Sequence, residues 1–486
     1  MNQNNQSKGL TRRQVLGDLL GAAAAPQVLR SQAPGKPPNV VFIMCDQMRG
    51  DAMSFMGSPV AHTPNLDKLA ASGISFDNYF SNCPVCTPAR KSIFSGRYPH
   101  EHGSPTNRDG EMLSLPGTMI DYFKQRGYRT GYIGKNHAFK PEVLKSFDFN
   151  KLRDREPFQK YNEFVPPEWH SDTYWPSEET HAWLNTADAL QFIDGAKDGN
   201  PFFLTVSYFD PHPPYMAPPE YTSKYRSDQM KIPTFIDPAK LSGRLVDFYR
   251  AMKADKIKDA ALTETMRYYY ASIEGMVDYQ VGRIMTALSS KGLMENTIIV
   301  FTADHGDFMG QHRLVRKGMF LYDCLLHVPM IWHIPGLKGG QRSKALTQGI
   351  DYLPTLIQLT GGKARPELPG RSLKQTFTGS QEPAARTIFT SASYGELPRE
   401  LVEQNRMKDD PETPLHSLAE ETNSDSKNRY SMARSREWKF LMSESRPPEL
   451  YRMNGGWVER ENVAEKAEHA TVRREMEQKL QAFWKW

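Results

Sequence analysis

Val40-Val41-Phe42-Ile43-Met44-Cys45-Asp46-Gln47 sets an unbroken apolar run against a polar end. Five consecutive branched, aromatic or long apolar residues are too few for a buried helix and show no alternation. They read as a strand buried on both faces, as in a parallel sheet covered by helices. Working outward, Phe202 to Tyr208 and Thr297 to Phe301 repeat the pattern, and Arg129 to Ile133 and Val328 to Ile334 repeat it more weakly. Between them, Met266, Tyr270, Ile273, Val277, Val281 and Ile284 recur at three- and four-residue spacing, which predicts a helix over 263–288 with a core-facing stripe. A second helix is expected over Leu353 to Leu359, stopped by Gly361-Gly362. This alternation predicts an α/β fold with a large, mostly parallel sheet sandwiched by helices.

After about residue 380 the character changes. Pro383 to Asn428 is polar and loop-rich, with short strands expected at 387–390 and 438–442 and a charged helix over 464–483. The chain is therefore expected to divide into residues 1–33, a large α/β domain over 34–380 and a smaller C-terminal α+β subdomain over 381–486.

The formal charge of +5 on 486 residues, without a Lys/Arg stripe interleaved with aromatics, gives no footprint for nucleic acid. Four cysteines are too few for a disulfide framework. Cys83-Pro84-Val85-Cys86 has redox-type spacing, but no second pair completes a zinc site. At the N-terminus, Thr11-Arg12-Arg13-Gln14-Val15-Leu16-Gly17 precedes an alanine-rich run and a Pro/Gly/Ser linker. That order predicts twin-arginine export to the periplasm or medium. No later apolar run approaches the ~20 residues that span a bilayer, so no membrane span is expected in the mature protein.

The functional signal is positional, because ligands of open α/β sheets bind beyond the carboxyl ends of the strands. Four predicted strands end in polar clusters: Asp46-Gln47; Asp304-His305-Gly306; Asp210-Pro211-His212; and Gly134-Lys135-Asn136-His137. Alone, each has an ordinary explanation, since an aspartate after a strand usually caps the next helix. Gathered at one edge, Asp46, Asp210, Asp304, His137, His212, His305 and Lys135 suit an oxygen-binding divalent metal with cations around an anionic substrate. Cys86-Thr87-Pro88-Ala89-Arg90 adds a fifth piece: Pro88 suits a first helical turn, which puts Cys86 at an amide-rich helix start where an anion is stabilised.

At these residues the chain resembles the formylglycine-dependent sulfatases of the alkaline phosphatase superfamily. Cys86-Thr87-Pro88-Ala89-Arg90 matches the C-x-P-S/A-R modification motif, and Gly96-Arg97-Tyr98-Pro99 with His102-Gly103 resembles the second signature. Gly134-Lys135-Asn136-His137, the His212 to Tyr215 loop, Asp304-His305-Gly306, Lys317-Gly318 and the tail Glu449-Leu450-Tyr451 with Glu461-Asn462 follow in the family's order. Where many members carry two aspartates after the first strand, this chain has Asp46-Gln47, as in the phosphonate monoester hydrolase and choline-sulfatase-like branches; Ala89 and Asn136 also depart from the commonest residues.

The resemblance implies an alkaline-phosphatase-like fold and hydrolysis of aryl or carbohydrate sulfate monoesters. It implies that a maturation enzyme oxidises Cys86 to formylglycine, whose hydrate attacks sulfur with one hydroxyl and uses the other to release sulfate. It also implies one divalent metal, Ca²⁺ ahead of Mg²⁺ or Mn²⁺, held by Asp46, Gln47, Asp304, His305 and the Cys86-derived group. Arg90 and Lys135 would stabilise the nucleophile and sulfate oxygens, Asp304 would take a proton during attack, and His137 would act as base in release. His212 and Lys317 would serve the leaving alcohol, and Lys135, His212 and Lys317 would bind substrate. The competing expectations are a phosphonate monoester hydrolase or phosphodiesterase on the same scaffold, an unmodified sugar-binding member, and a CxxC redox protein.

Overall fold

The computed structural model describes residues 36–107, 111–153, 170–172, 176–197, 199–233, 245–246, 249, 254–377, 386–393, 429–444, 446–454 and 456–484. The twin-arginine stretch, the boundary at 380 and most of the polar tract 383–428 lie outside these residues.

Fourteen strands are present among the described residues: β1 (Asn39–Cys45), β2 (Ile74–Phe80), β3 (Arg129–Gly134), β4 (Phe149–Leu152), β5 (His170–Asp172), β6 (Phe202–Ser207), β7 (Tyr215–Ala217), β8 (Thr297–Ala303), β9 (Met330–His333), β10 (Gln341–Gln348), β11 (Ile388–Ser393), β12 (Arg429–Arg434), β13 (Trp438–Ser443) and β14 (Glu449–Arg452). Eight form the main sheet, in the order β10-β2-β9-β8-β1-β6-β3-β4. β1 lies inside it, and all seven of its residues are buried, as its composition requires. It pairs in parallel with β6 and β8. β9 runs antiparallel to both neighbours.

Register explains why the polar ends meet. Met44 lies opposite Ser207, Ser207 opposite Gly134, and Cys45 opposite Ala303. The next residues, Asp46, Lys135 and Asp304, therefore leave the sheet at one level. Gly134 permits this closeness: it has φ 91, and a Cβ there would lie 2.0 Å from the Ser207 carbonyl oxygen.

The stripe predicted over 263–288 is helical but not uniform. It comprises an α-helix (Asp259–Ser272), a π-helical turn (Ile273–Asp278) and a second α-helix (Tyr279–Ser290). The π turn is anchored from outside: Asp278 accepts from the Asn65 and Leu66 amides, and Lys224 Nζ reaches Glu274 at 2.5 Å. Tertiary hydrogen bonds thus add a residue to the turn that apolar periodicity does not register.

β11 to β14 form a separate antiparallel sheet in chain order. The helix Ala470–Trp484 packs on one of its faces through Met476 and Leu480, beginning six residues after the predicted start at 464. The other face shares a core with the main domain: Tyr430, Met432 and Leu441 join Val85, Ala89, Phe320 and Leu325. This second core lies directly behind the residues that carry the site.

Candidate active site

Cys86 opens the helix Cys86–Ser95, all ten of whose residues are buried. The Asn107 side chain accepts from the Thr87 amide at 2.8 Å, tying the second signature loop to the start of this helix. Four cationic or acidic side chains converge on the Cys86 sulfur: Lys317 Nζ at 3.0 Å, His305 Nε2 at 3.2 Å, Asp46 Oδ1 at 3.7 Å and Lys135 Nζ at 3.8 Å. Burial and the Asp46 charge push the thiol up, but Lys135, Lys317 and His305 outweigh them and bring it down to about 6.

The donor atoms of Asp46, Cys86, Asp304 and His305 all lie within 4.8 Å of one another, and all four residues are buried. His305 Nδ1 lies 2.9 Å from the Gly306 carbonyl; donation there fixes the tautomer and leaves Nε2 as the ligating nitrogen. Burial pulls the His305 pKa down, yet the Asp304 charge lifts it above its usual value. A field that favours a proton on Nε2 favours a cation there too. Gln47 adjoins these residues, its backbone amide donating to Asp304 Oδ1 at 3.1 Å. Its Nε2 donates to Asp307 at 2.6 Å, while its buried Oε1 has no hydrogen-bond partner. An orphaned amide oxygen beside two carboxylates and an imidazole fits a divalent cation.

Arg90 directs its donors at the two aspartates, a serine and a backbone carbonyl. Its Nε donates to Asp304 Oδ2 at 2.7 Å, and its terminal nitrogens reach Asp46 Oδ2 at 2.9 Å, Ser207 Oγ at 2.7 Å and the Lys135 carbonyl at 3.3 Å. The fork thus bridges the two carboxylates, Asp46 and Asp304. Lys135 shares Asp46 Oδ2 at 2.7 Å and lies 4.7 Å over the Phe209 ring. Burial pushes the Asp46 carboxyl up, but Lys135, His212, Lys317 and Arg90 hold it well below the usual range. Asp304 behaves oppositely: burial and the Asp46 charge raise it against His305 and Arg90.

Of the remaining predicted residues, His212 is buried against Phe209 with Nδ1 2.6 Å from the Pro213 carbonyl, and its charge acts on Asp46. His137 is half-buried in left-handed backbone at φ 48, two residues beyond Lys135. Asp210 is not among the metal-type donors: its side chain meets Ser272 Oγ at 3.5 Å, and burial pushes its carboxyl up to about 7.

Sequence reasoning missed Ser207 and Asp307. Ser207 ends an apolar strand and carries no pattern of its own. Asp307 had a signal, a carboxylate one residue past Gly306 and ahead of the buried pair Phe308-Met309. It accepts from Gln47 Nε2 at 2.6 Å, Tyr215 OH at 2.7 Å, Met309 N at 2.7 Å and Arg316 N at 2.9 Å.

Residues 38–362, well over half the chain, match the family model described as Sulfatase. An arylsulfatase of Clostridium perfringens is 29% identical over 402 residues, covering 74% of this chain and 82% of that protein. An ulvan-active sulfatase of Formosa agariphila is 30% identical, covering 76% of this chain and 70% of its own length. The fold superposes on a phosphonate monoester hydrolase of Agrobacterium radiobacter with TM-score 0.72 at 23% identity, covering 91% and 94% of the two chains. With a sulfatase match running from just before the first strand to beyond β10, and the matched motifs brought together around Cys86, the chain belongs to the sulfatase family.

Proposed function

We propose that this sulfatase hydrolyses aryl or carbohydrate sulfate monoesters with an oxygen nucleophile made from Cys86 by oxidation to formylglycine. The observation that carries this reading is the setting of Cys86, with Lys317 at 3.0 Å and His305 at 3.2 Å inside the metal-type cluster. In this structure Cys86 Sγ stands in for an oxygen of the oxidised group. Exchange of sulfur for an aldehyde oxygen requires an oxidant and a separate maturation enzyme. A hydrated aldehyde at this position supplies one hydroxyl to attack and another whose deprotonation frees the product.

Asp46, Gln47, Asp304 and His305 would hold the divalent cation, which when bound supplies Lewis acidity toward nucleophile and substrate oxygens. Three oxygen-donating ligands favour Ca²⁺, with Mg²⁺ or Mn²⁺ as alternatives. Around it, Lys135 and Lys317 neutralise the sulfate oxygens, and Arg90 keeps Asp46 and Asp304 in place. Asp304, raised by burial, takes the proton from the attacking hydroxyl. His212, fixed through Nδ1, gives a proton toward the leaving alcohol, and His137 serves release. The ulvan activity named for the Formosa relative supports a glycan substrate.

Gln47 and His305, with the fold likeness to the Agrobacterium enzyme, favour phosphonate monoesters as a second reading. Measuring kcat/KM on an aryl sulfate, an aryl phosphonate monoester and an aryl phosphate diester separates them. Preference for the sulfate is expected; preference for either phosphorus ester would overturn the assignment.

Among the described residues no helix is long and apolar enough to cross a membrane. The Arg12-Arg13 leader supports twin-arginine export of the folded chain. N-terminal sequencing of exported protein should begin beyond the alanine-rich run; a start near Met1 would contradict it.

A further inference from the structure

We infer that Asp307 is a positioning residue that fixes which end of the Gln47 amide faces the metal; this rests on the metal reading above. A glutamine amide has two ends of similar shape and opposite polarity, and only the oxygen binds a cation. Nothing in the Gln47 side chain itself chooses between them. Asp307 does, because its carboxylate accepts the amide Nε2 at 2.6 Å and so leaves Oε1 without a protein partner.

The polarity at Asp307 is itself locked. Oδ1 accepts two backbone amides, Met309 N at 2.7 Å and Arg316 N at 2.9 Å, which can only donate. Oδ2 takes Gln47 Nε2 and Tyr215 OH. The Tyr215 oxygen also lies 3.2 Å from Arg316 N, which donates to it and turns the hydroxyl hydrogen toward Oδ2. Other contacts hold the Gln47 backbone at φ 66: its amide donates to Asp304 Oδ1 at 3.1 Å, and Tyr269 OH donates to its carbonyl at 3.3 Å. The side-chain amide is thereby left to Asp307. The same carboxylate joins the loop after β1, the Tyr215 loop and the segment that carries Lys317.

An isosteric change tests this. In Asp307→Asn the backbone amides keep the asparagine oxygen at the Oδ1 position, so its NH₂ faces Gln47. Gln47 then reverses and turns NH₂ toward the cation. Asp307→Asn should weaken Ca²⁺ binding, measured by calorimetry on metal-stripped protein, by ~10–100-fold. Gln47→Glu alone sets two carboxylates against each other and should also weaken binding. The double variant exchanges acid and amide at unchanged net charge; the asparagine NH₂ now donates to the carboxylate at position 47, and binding should return to within about tenfold of wild type. Wild-type affinity in Asp307→Asn, or a double variant no tighter than the singles, would overturn the inference. If wild-type protein binds no Ca²⁺, Mg²⁺ or Mn²⁺, the metal reading fails instead. A purely structural role for Asp307 predicts loss in both Asn backgrounds whatever stands at position 47.

Discussion

Among the described residues, one cluster of buried charge surrounds Cys86 and another lies between the two sheets. In the second, Lys439 lies 2.5 Å from Asp323 and also pairs with Glu459, while Arg434 lies 3.2 Å from Asp323. All four residues are at most 1% exposed, as deeply sequestered as Asp46, Arg90 and Asp304. Two acids face two bases, and no nucleophile is involved. Around Cys86 the charges meet at a nucleophile: Arg90 and Lys135 pair with Asp46, Arg90 also with Asp304, and Lys317 and Lys135 reach the sulfur. Burial and charge therefore do not by themselves distinguish a site from a clamp. The distinguishing features are a nucleophile set among cations and a gathered set of donor atoms of the kind that could hold a metal ion.

The sharpest way to break this contrast is to remove a metal-type donor. Asp304→Ala should abolish divalent metal retention, read by elemental analysis, and lower kcat by ~10³-fold or more, the several kcal/mol a Lewis acid supplies. Full metal occupancy would return the cluster to a structural role. The converse experiment is Lys439→Met, which removes the cation from Glu459 and leaves Asp323 to Arg434 alone. It should cost about 3–5 kcal/mol in urea unfolding while metal content per folded chain stays at wild-type level. Metal loss there would mean that the clusters are coupled.

The remaining predictions sharpen the comparison through pH. In protein produced without maturation, iodoacetamide labelling of Cys86 should rise with pH through a midpoint near 6. Lys317→Met should move that midpoint up by roughly one to three units; an unchanged midpoint would remove Lys317 from the site's field. The smallest effect belongs to Glu459, whose carboxyl burial raises to about 7 against the pull of Lys439. A carboxyl raised in the folded state contributes stability below its unfolded pKa and loses it as pH climbs through the folded one. Glu459→Gln should therefore match wild type near pH 4 and exceed it above pH 7, by on the order of 2 kcal/mol. The reverse ordering would contradict the assignment.

Much of this was legible in the sequence, for identifiable reasons. β1, β6 and β8 are buried on both faces, so their composition is continuous and apolar, and their polar ends mark where each strand leaves the sheet. β2 escaped notice because Asp77-Asn78 interrupts it, and β10 because Gln341-Arg342-Ser343-Lys344 begins a half-exposed edge strand. The direction of β9 is set by its connections, which an apolar run does not encode. Of the site, the charged groups were visible because several polar clusters follow strands of one sheet. Ser207 was not, since it acts through Arg90, and the Gln47 and Tyr215 partners of Asp307 are likewise remote in sequence. Arg90 was visible in identity, but only geometry shows that its donors reach Asp46 and Asp304.

The central claim is that Cys86 is the precursor of the nucleophile. It is tested most directly by peptide mass spectrometry on enzyme preparations matured to different extents, with turnover of an aryl sulfate measured on each. Turnover per chain should rise in proportion to the fraction of the Cys86 peptide carrying the aldehyde, and extrapolate to zero where only thiol is found. Full turnover from a preparation whose Cys86 remains entirely thiol would contradict the account.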